Sequence, residues 1–302
     1  MSRRLEELLE AIRSDTDSGA TSLAVCALET LEIAAGDLPC ESREALSTID
    51  DLAVRIDNLR PSMAAVGSAA FRVAIEARRA VLSGAPPRAA LERAARDELE
   101  LIRAADERIA ALAVCELGEV GTAVTCSWSA TALACLERLR PELVLIGEGH
   151  SLGDGRRAAR RMVENGLEVE LTTDGALPAA VERADAVLVG ADQILADGSL
   201  VNRAGTFPLA LAARRFEVPF YAVCQRLKLA GRKEASIEEH PADLAGESPP
   251  GARVSCPLFD VTPPDLLGAV LTETGRLTAS RAGRAGAEIA RRRAELRSNK
   301  NK

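Results

Sequence analysis

The sequence predicts a helical N-terminal domain over residues 1–118, followed by a Rossmann-like α/β domain over residues 119–280. Apolar residues in the first part recur at a spacing of three and four, which is typical of helices that bury one face. After Gly118, short β-rich runs alternate with helical stretches, which is the pattern of a parallel sheet flanked by helices. With 302 residues, the chain is long enough for each part to bury a core.

The first part is predicted to contain five helices separated by turn signals. Gly36-Asp37, Pro61 and the segment 84–87 interrupt the periodic pattern, because glycine and proline disfavour a continuous helix. The predicted helices cover residues 3–12, 20–35, 42–56, 63–82 and 87–112. This alternation of periodic stretches and breaks is the basis for the helical assignment.

The second part is predicted to contain six strands. Apolar residues are nearly continuous within each run, as expected of strands that are buried on both faces of a sheet. The runs cover residues 122–125, 143–146, 169–171, 186–189, 220–223 and 269–271. Ligand sites in such sheets form at the carboxyl ends of the strands, so polar residues directly after these runs are the candidates for function.

Composition argues against several classes of protein. The formal charge of -7 disfavours general nucleic-acid binding, and no apolar run reaches the roughly 18 residues that span a bilayer. The N-terminus lacks the pattern of a signal peptide, so we expect a cytoplasmic protein. Seven cysteines without a CxxC pair, beside two histidines, indicate neither a zinc cluster nor a disulfide framework. We therefore expect no metal and no cofactor.

The C-terminal segment 281–302 is strongly basic, with eight lysines and arginines against two glutamates. We expect a solvated terminal helix that frays at its end. An arm that contacts nucleic acid is the alternative, although no aromatic residue is interleaved to stack on bases.

One cysteine stands at the end of the first predicted strand. Cys126 precedes a predicted helix, and the positive end of a helix dipole favours a thiolate, so we expect a lowered pKa and a general base. A packed structural thiol is the alternative. Trp128, the only tryptophan of the chain, is expected either to wall a pocket or to fill the core.

Further polar groups follow other predicted strands. Asp192 comes just after the fourth run, Lys228 follows the fifth, and Asn202 and Arg203 lie in the loop between them. Because the carboxyl ends of parallel strands meet at one edge of a sheet, we expect Cys126 and Asp192 to face one cleft.

The glycine-rich segment 147–155 follows the second predicted strand. It lacks the GxGxxG spacing of dinucleotide sites and the lysine of a P-loop. We expect a turn whose backbone amides cradle a phosphate, with a plain flexible turn as the alternative.

These motifs resemble the initiation-factor-2B-related family, which includes methylthioribose-1-phosphate isomerase, ribose-1,5-bisphosphate isomerase and the α, β and δ regulatory subunits of a translation exchange factor. The resemblance is carried by Gly190-Ala191-Asp192 and by the segments 202–206, 219–223 and 257–264. It implies that Cys126 and Asp192 are the catalytic acid/base pair. The substrate contacts that we expect beside them are Arg60, Trp128, Ser129, Ala130, Asn202, Arg203 and Lys228.

The chain departs from the pattern of the isomerases at two phosphate-binding arginines, whose positions hold Ser18 and His150. Each loss removes a charge-assisted hydrogen bond worth roughly 1.5–3 kcal/mol. Arg156, Arg157 and Arg203 are the candidates to replace them.

The expected function is that of an aldose–ketose isomerase acting on a phosphorylated pentose, namely ribose 1,5-bisphosphate converted to ribulose 1,5-bisphosphate. A protonated Asp192 in an apolar site would donate to the ring oxygen, and a Cys126 thiolate would take the carbon-bound proton. Two alternatives stay open: a non-catalytic regulatory subunit that senses a sugar phosphate or nucleotide, and a methylthioribose-1-phosphate isomerase. The resemblance also implies a homodimer or larger homo-oligomer formed through the second domain.

Overall fold

The computed structural model describes residues 3–15, 19–60, 63–149, 152–235, 251–253 and 255–299. The chain divides into two compact units. The first contains residues 1–104, 227–231 and 285–302, and the second contains residues 105–226 and 232–284. The division differs from the predicted boundary near residue 118, because one 31-residue helix, Pro87–Leu117, contributes to both units.

The helical unit contains all five of the predicted helices. They are α1 (Arg3–Ser14), α2 (Ala20–Ala34), α3 (Ser42–Leu59), α4 (Ala64–Leu82) and α5 (Pro87–Leu117). Their apolar faces form one core around Leu28, Ile56 and Phe71, each fully buried. Helices α3 and α4 approach closely at Gly67, where a Cβ atom would lie 1.8 Å from Asp57 Oδ1. The three-and-four spacing of the sequence therefore predicts the core faces correctly.

The C-terminal segment packs in the helical unit rather than standing in solvent. It ends in the helix Ala287–Asn299, where Ile289 is buried in the core. The Arg293 guanidinium donates to both carboxylate oxygens of Asp57, at 2.9 and 3.1 Å, and Arg292 pairs with Asp50. The prediction of a solvated helix is wrong for Arg292 and Arg293, because acidic side chains of α3 neutralise them. The predicted fraying concerns the end of the chain, and residues 300–302 lie outside the described residues.

The α/β unit is built on a seven-stranded sheet. In chain order the unit has β1 (Thr122–Thr125), β2 (Leu143–Gly147), β3 (Val169–Thr172), β4 (Ala186–Val189), β5 (Gln193–Ile194), β6 (Leu200–Arg203), β7 (Phe220–Val223), β8 (Phe259–Thr262), β9 (Ala269–Thr272) and β10 (Gly275–Leu277). The order in the large sheet is β10-β9-β7-β4-β1-β2-β3, and all pairs are parallel except β9 with β10. All six predicted strands lie in this sheet, in the doubly wound order whose direction reverses between β1 and β4.

Helices and a small second sheet complete the α/β unit. The helices between the strands are α6 (Ala130–Leu139), α7 (Asp154–Glu164), α8 (Leu177–Ala180) and α9 (Thr206–Arg215), and α10 (Ala279–Ala285) follows the last strand. The helix after it, α11 (Ala287–Asn299), belongs to the helical unit. Strands β5, β6 and β8 form an antiparallel sheet in which Asn202 pairs directly with Asp260. No helix within the described ranges is long and apolar enough to cross a membrane.

Candidate active site

The loops after β1 and β4 meet where the strand order reverses. Gly190, directly after β4, lies so close to the β1 loop that a Cβ atom there would be 2.4 Å from Ser129 Oγ. Ser129 itself caps α6, since its Oγ accepts from the backbone amide of Ala132 at 3.3 Å. Ala130 is the first residue of α6 and is exposed. The sequence-predicted loops therefore meet at the position where doubly wound sheets bind ligands.

The Cys126 side chain is buried and has one polar contact. Its Sγ lies 3.6 Å from Thr206 Oγ1. The Thr206 hydroxyl donates to the backbone oxygen of Arg203 at 2.7 Å and accepts from Asn202 Nδ2 at 2.9 Å. Because a hydroxyl has a single hydrogen, the thiol supplies the proton in its contact with Thr206.

The Cys126 thiol is protonated, which overturns the sequence expectation of a thiolate. Burial raises the pKa of Cys126 to about 12, the contact with Thr206 lowers it in part, and the charges of Asp260, Asp154 and Asp174 raise it further. The helix dipole has little effect because Cys126 lies four residues before the first residue of α6, outside its first turn.

Asp260 fixes the start of α9 from the facing strand β8. Its Oδ2 accepts hydrogen bonds from the backbone amides of Gly205 at 2.7 Å and Phe207 at 3.0 Å. Burial raises the pKa of Asp260, and the backbone amides of Phe207, Gly205 and Thr206 oppose this rise. Asp260 thus holds the turn of backbone that carries Thr206.

Asp154 connects the start of α7 to Arg203. Its Oδ1 accepts from the backbone amide of Gly155 at 3.0 Å, and its Oδ2 lies 3.2 Å from Arg203 Nε. Burial raises the pKa of Asp154, and the charge of Arg203 opposes the rise. The Arg203 guanidinium also lies 5.1 Å from the centre of the Phe259 ring. Arg203 is therefore held between a carboxylate and an aromatic face.

The glycine-rich loop after β2 already uses two of its backbone amides. Gly149 donates to Asp174 Oδ1 at 2.9 Å, and Gly155 donates to Asp154. Carboxylates therefore satisfy these two amides, which are not open to a phosphate. The expectation that other amides of the loop cradle a phosphate stays a prediction. His150 and Ser151, in the same loop, lie outside the described residues.

Asp192 lies in the loop after β4, next to the residues around the Cys126 thiol, and its carboxylate is accessible. Its backbone amide donates to Val201 at 2.9 Å, which places its main chain beside β6 next to Asn202. The side chain is half-buried, and its carboxylate has no hydrogen-bond or ion-pair partner among the residues that the structure describes. The apolar site that the sequence led us to expect around Asp192 stays a prediction.

Three arginines were candidates to replace the missing phosphate contacts, and the structure distinguishes them. Arg156 pairs with Glu148, and Arg203 pairs with Asp154. Arg157 stacks on Trp128, with its guanidinium carbon 3.9 Å from the ring centre, and has no carboxylate partner in the described part of the chain. The Trp128 ring is half-buried and packs against the core of the α/β unit. Trp128 therefore packs against the core, as one of the two expectations had it, and also carries a cation on its ring. Its role in walling a pocket stays a prediction.

Arg60 and Lys228 belong to the helical unit. The Arg60 guanidinium donates to the backbone oxygen of Asp15, and Lys228 is half-buried in the turn Arg226–Lys228. Ser18, where the isomerases carry an arginine, lies outside the described residues. The substrate-binding roles of Arg60 and Lys228 stay predictions.

Sequence reasoning missed three side chains that surround the thiol. Thr206 ends the Asn202–Thr206 motif and Asp260 lies within the segment 257–264, and both motifs served only to recognise the family. Asp154 lies in the glycine-rich loop. Polar residues inside otherwise family-typical motifs are the signal that would have indicated them. Within the described ranges, no group of three or more histidine, cysteine or acidic side chains is arranged to hold a metal ion.

The strand order defines a doubly wound α/β protein whose order reverses between β1 and β4. The chain belongs to the Initiation factor 2 subunit family, whose model matches residues 16–279. This confirms the resemblance predicted from the sequence.

Curated relatives include both enzymes and translation-factor-like proteins. The chain is 33% identical to methylthioribose-1-phosphate isomerase from Gemmatimonas aurantiaca, over 90% of this chain and 84% of that protein. It is 30% identical to ribose 1,5-bisphosphate isomerase from Archaeoglobus fulgidus, over 90% of each. It is 29% identical to a putative translation initiation factor eIF-2B subunit 2-like protein from Pyrococcus abyssi, over 90% of this chain and 95% of that protein.

A solved structure with the same fold is the translation initiation factor eIF-2B of Pyrococcus horikoshii. It matches with a TM-score of 0.73 at 24% identity, over 93% of this chain and 99% of that one. The likeness confirms the predicted combination of a helical N-terminal region with a mostly parallel sheet.

Proposed function

We propose that this chain is an aldose–ketose isomerase that converts ribose 1,5-bisphosphate into ribulose 1,5-bisphosphate in the cytoplasm. Its coarser class, an isomerase of phosphorylated sugars, is that of the relatives from G. aurantiaca and A. fulgidus. The choice of the bisphosphate is supported by the match over 90% of both chains with the A. fulgidus enzyme.

The observation that carries the proposal is a buried, protonated thiol at the switch point, with an accessible carboxylate on the neighbouring loop. Cys126 is 7% exposed, and its Sγ lies 3.6 Å from Thr206 Oγ1. Asp192 is half-buried without a partner among the described residues. A neutral acid and a free carboxylate at one end of a sheet are what a proton transfer between adjacent carbons requires.

The first half of the reaction opens the sugar ring. The Asp192 carboxylate takes the proton from C2, a C1–C2 double bond forms, and the bond from C1 to the ring oxygen breaks. The Cys126 thiol gives its proton to the departing ring oxygen, which becomes a hydroxyl. Asp192 is then a neutral acid, Cys126 is a thiolate, and the substrate is an open-chain enol that keeps its C1 phosphate.

The second half returns both groups to their starting states. The Cys126 thiolate takes the proton of the C2 hydroxyl as the ketone forms, and C1 takes the proton held by Asp192. All protons balance, and no cofactor is consumed. The roles are the reverse of those predicted from the sequence, because burial keeps the Cys126 thiol protonated at rest.

Arg157 supplies a cation for one phosphate in this proposal. Its guanidinium is held on the Trp128 ring, two residues beyond Cys126, and no carboxylate among the described residues neutralises it. A guanidinium is suited to phosphate because it donates two parallel hydrogen bonds. Arg157 is therefore a better replacement for the missing loop arginine than Arg156 or Arg203, which are both paired.

A methylthioribose-1-phosphate isomerase is the second candidate, and the 33% identity with the G. aurantiaca protein favours it. The two substrates share C1 and C2, so the proton transfers are the same. They differ at C5, where one carries a phosphate and the other a methylthio group. A second cation near C5 would favour the bisphosphate, because an unpaired buried phosphate is costly.

The test is to incubate the purified protein with each sugar phosphate in parallel and to follow the ketose product. We expect turnover of ribose 1,5-bisphosphate, and a Cys126→Ser variant should lose about 10²–10⁴-fold in kcat while still binding substrate. Cys115→Ser, at an exposed thiol, is the matched control. Turnover of the methylthio sugar alone would select the second candidate, and binding of either sugar without turnover would select a regulatory protein.

A further inference from the structure

The Thr206 hydroxyl can serve the Cys126 sulfur in either protonation state. In the resting arrangement it donates to the Arg203 backbone oxygen, accepts from Asn202 and receives the S–H of Cys126. A hydroxyl hydrogen rotates freely about its C–O bond. The same hydroxyl can therefore turn from the Arg203 oxygen to the sulfur once the thiol has lost its proton.

Asp260 holds Thr206 in place for this exchange. Its Oδ2 accepts from the backbone amides on both sides of Thr206, those of Gly205 and Phe207. Its Oδ1 is buried and has no hydrogen-bond partner in the described part of the structure. The backbone amides stabilise the ionised form of Asp260, and the charge of this carboxylate raises the pKa of Cys126.

We propose that Thr206 and Asp260 are positioning residues that control when Cys126 releases its proton. Asp260 adds its charge to the effect of burial, which keeps the thiol protonated at rest, and it fixes the backbone of Thr206. Thr206 then stabilises the thiolate that forms when the proton has gone to the substrate. The proposal rests on the proton-donor role of Cys126 described under the proposed function.

The step balances without any further reactant. When the sulfur gives its proton to the ring oxygen, the Thr206 hydroxyl leaves the Arg203 oxygen and donates to the sulfur anion. When the thiolate takes the C2 hydroxyl proton back, the Thr206 hydroxyl returns to Arg203. Asn202 donates to Thr206 Oγ1 throughout, so the oxygen stays in place while its hydrogen changes direction.

Other charges also face Cys126, and they act differently from Asp260. Asp154 and Asp174 raise the pKa of the thiol, but the charge of Asp154 is offset by Arg203 at 3.2 Å. The Asp174 carboxylate accepts from the amide of Gly149 in the loop after β2. Of these three aspartates, Asp260 is the one that accepts hydrogen bonds from the backbone at the start of α9. Its charge also raises the pKa of the thiol more than the charges of the other two do.

The test measures the thiol directly rather than turnover. Iodoacetamide reacts with the thiolate, so the alkylation rate of each cysteine, followed by peptide mass spectrometry in the full-length protein, reports its ionised fraction. The rate at Cys126 is divided by the rates at buried Cys135 and Cys224, which cancels any general loosening of the fold. Asp260→Asn keeps an acceptor for the two amides and removes the charge. Asp265→Asn, an exposed residue paired with Arg214, is the matched control.

The two positioning residues should shift the ratio in opposite directions. Asp260→Asn should raise it about tenfold, which is the effect of one pKa unit on the ionised fraction. Thr206→Val should lower it at least threefold, and Thr206→Ser, which keeps a hydroxyl, should restore it. A ratio that neither Asp260→Asn nor Thr206→Val changes would overturn the proposal.

Measuring turnover distinguishes a failure of the positioning roles of Thr206 and Asp260 from a failure of the proposed isomerase function on which they rest. Thr206→Val should reduce kcat with little effect on KM, and Thr206→Ser should recover most of it. If the wild type turns over neither sugar, the proposed function fails while the alkylation ratios still decide the roles of Thr206 and Asp260. If turnover is normal and the ratios do not move, the positioning proposal alone is wrong.

Discussion

At the scale of single residues, the chemistry depends on whether burial or the helix dipole determines the protonation state of the Cys126 thiol. The rise of its pKa from 9.0 to about 12 corresponds to roughly 4 kcal/mol in favour of the neutral form. A helix N-terminus contributes about 0.3–1 kcal/mol, and only within its first turn. Burial therefore prevails by a wide margin, and the thiol enters the reaction as an acid.

The pH dependence of kcat tests that conclusion. The acid form of a thiol with a pKa of about 12 is fully present below that value, so kcat should stay level between about pH 7 and about pH 10. If Cys126 acted as the resting base instead, kcat would rise about tenfold for each pH unit over the same range. Steady-state rates at saturating substrate distinguish the two, and a tenfold rise per unit would exclude the proton-donor role.

The residue scale also shows how far the sequence alone identifies the site. Cys126 and Asp192 could be identified as candidates, because each follows a buried strand and carries a reactive group. The approach of Asp154 and Asp260 to the thiol could not be predicted, because it depends on α7 and on the small antiparallel sheet. The protonation state of Cys126 depends on those two neighbours and on burial, so it could not be predicted from local pattern either.

At the scale of elements, the C-terminal helix α11 is held by a buried ion pair. Arg293 is 7% exposed, donates to both oxygens of Asp57 and to the backbone oxygen of Ala230, and lies 5.1 Å from the Phe71 ring. Such a pair costs free energy to desolvate, and it stabilises the fold only while both partners are present. Arg293 thus determines whether α11 stays packed on the helical unit.

Removing one partner of this pair should destabilise the protein strongly. Arg293→Ala leaves the Asp57 carboxylate buried without its cation, and we expect the free energy of unfolding to fall by about 3–5 kcal/mol. Arg291→Ala, at an exposed position of the same helix, should change it by less than about 0.5 kcal/mol. Urea denaturation followed by circular dichroism measures both. Equal effects of the two variants would contradict a structural role for the ion pair.

Elements differ in how well the sequence predicts them. Six of the seven strands of the large sheet coincide with predicted runs, and most of these runs are nearly continuously apolar, as burial on both faces of a sheet requires. Strands β5, β6 and β8 carry polar residues such as Gln193, Asn202 and Asp260, and β5 has only two residues. The pairing of β6 with β8 joins segments far apart in the chain, and β5 is too short to show a pattern, so local sequence gives little signal for these strands.

At the scale of the whole molecule, helix α9 leaves an apolar face uncovered. Leu211 is 47% exposed, and Phe207 and Pro208 lie one turn before it on the same side of the helix. An exposed leucine alone is ordinary, but three adjoining apolar residues on one helix face are typical of an interface. This face is where the self-association predicted from the sequence would form.

Association through α9 should be sensitive to a charge at its centre. Light scattering coupled to size-exclusion chromatography should show a dimer or larger oligomer of the wild type at micromolar concentration. Leu211→Glu should produce a monomer, because two copies of the face would each have to bury a carboxylate without a partner. Leu82→Glu, at a leucine that is 69% exposed in the helical unit, controls for the substitution itself and should leave the oligomer intact. A monomeric wild type would rule out self-association, and an oligomer that only Leu82→Glu disrupts would place the interface on the helical unit instead.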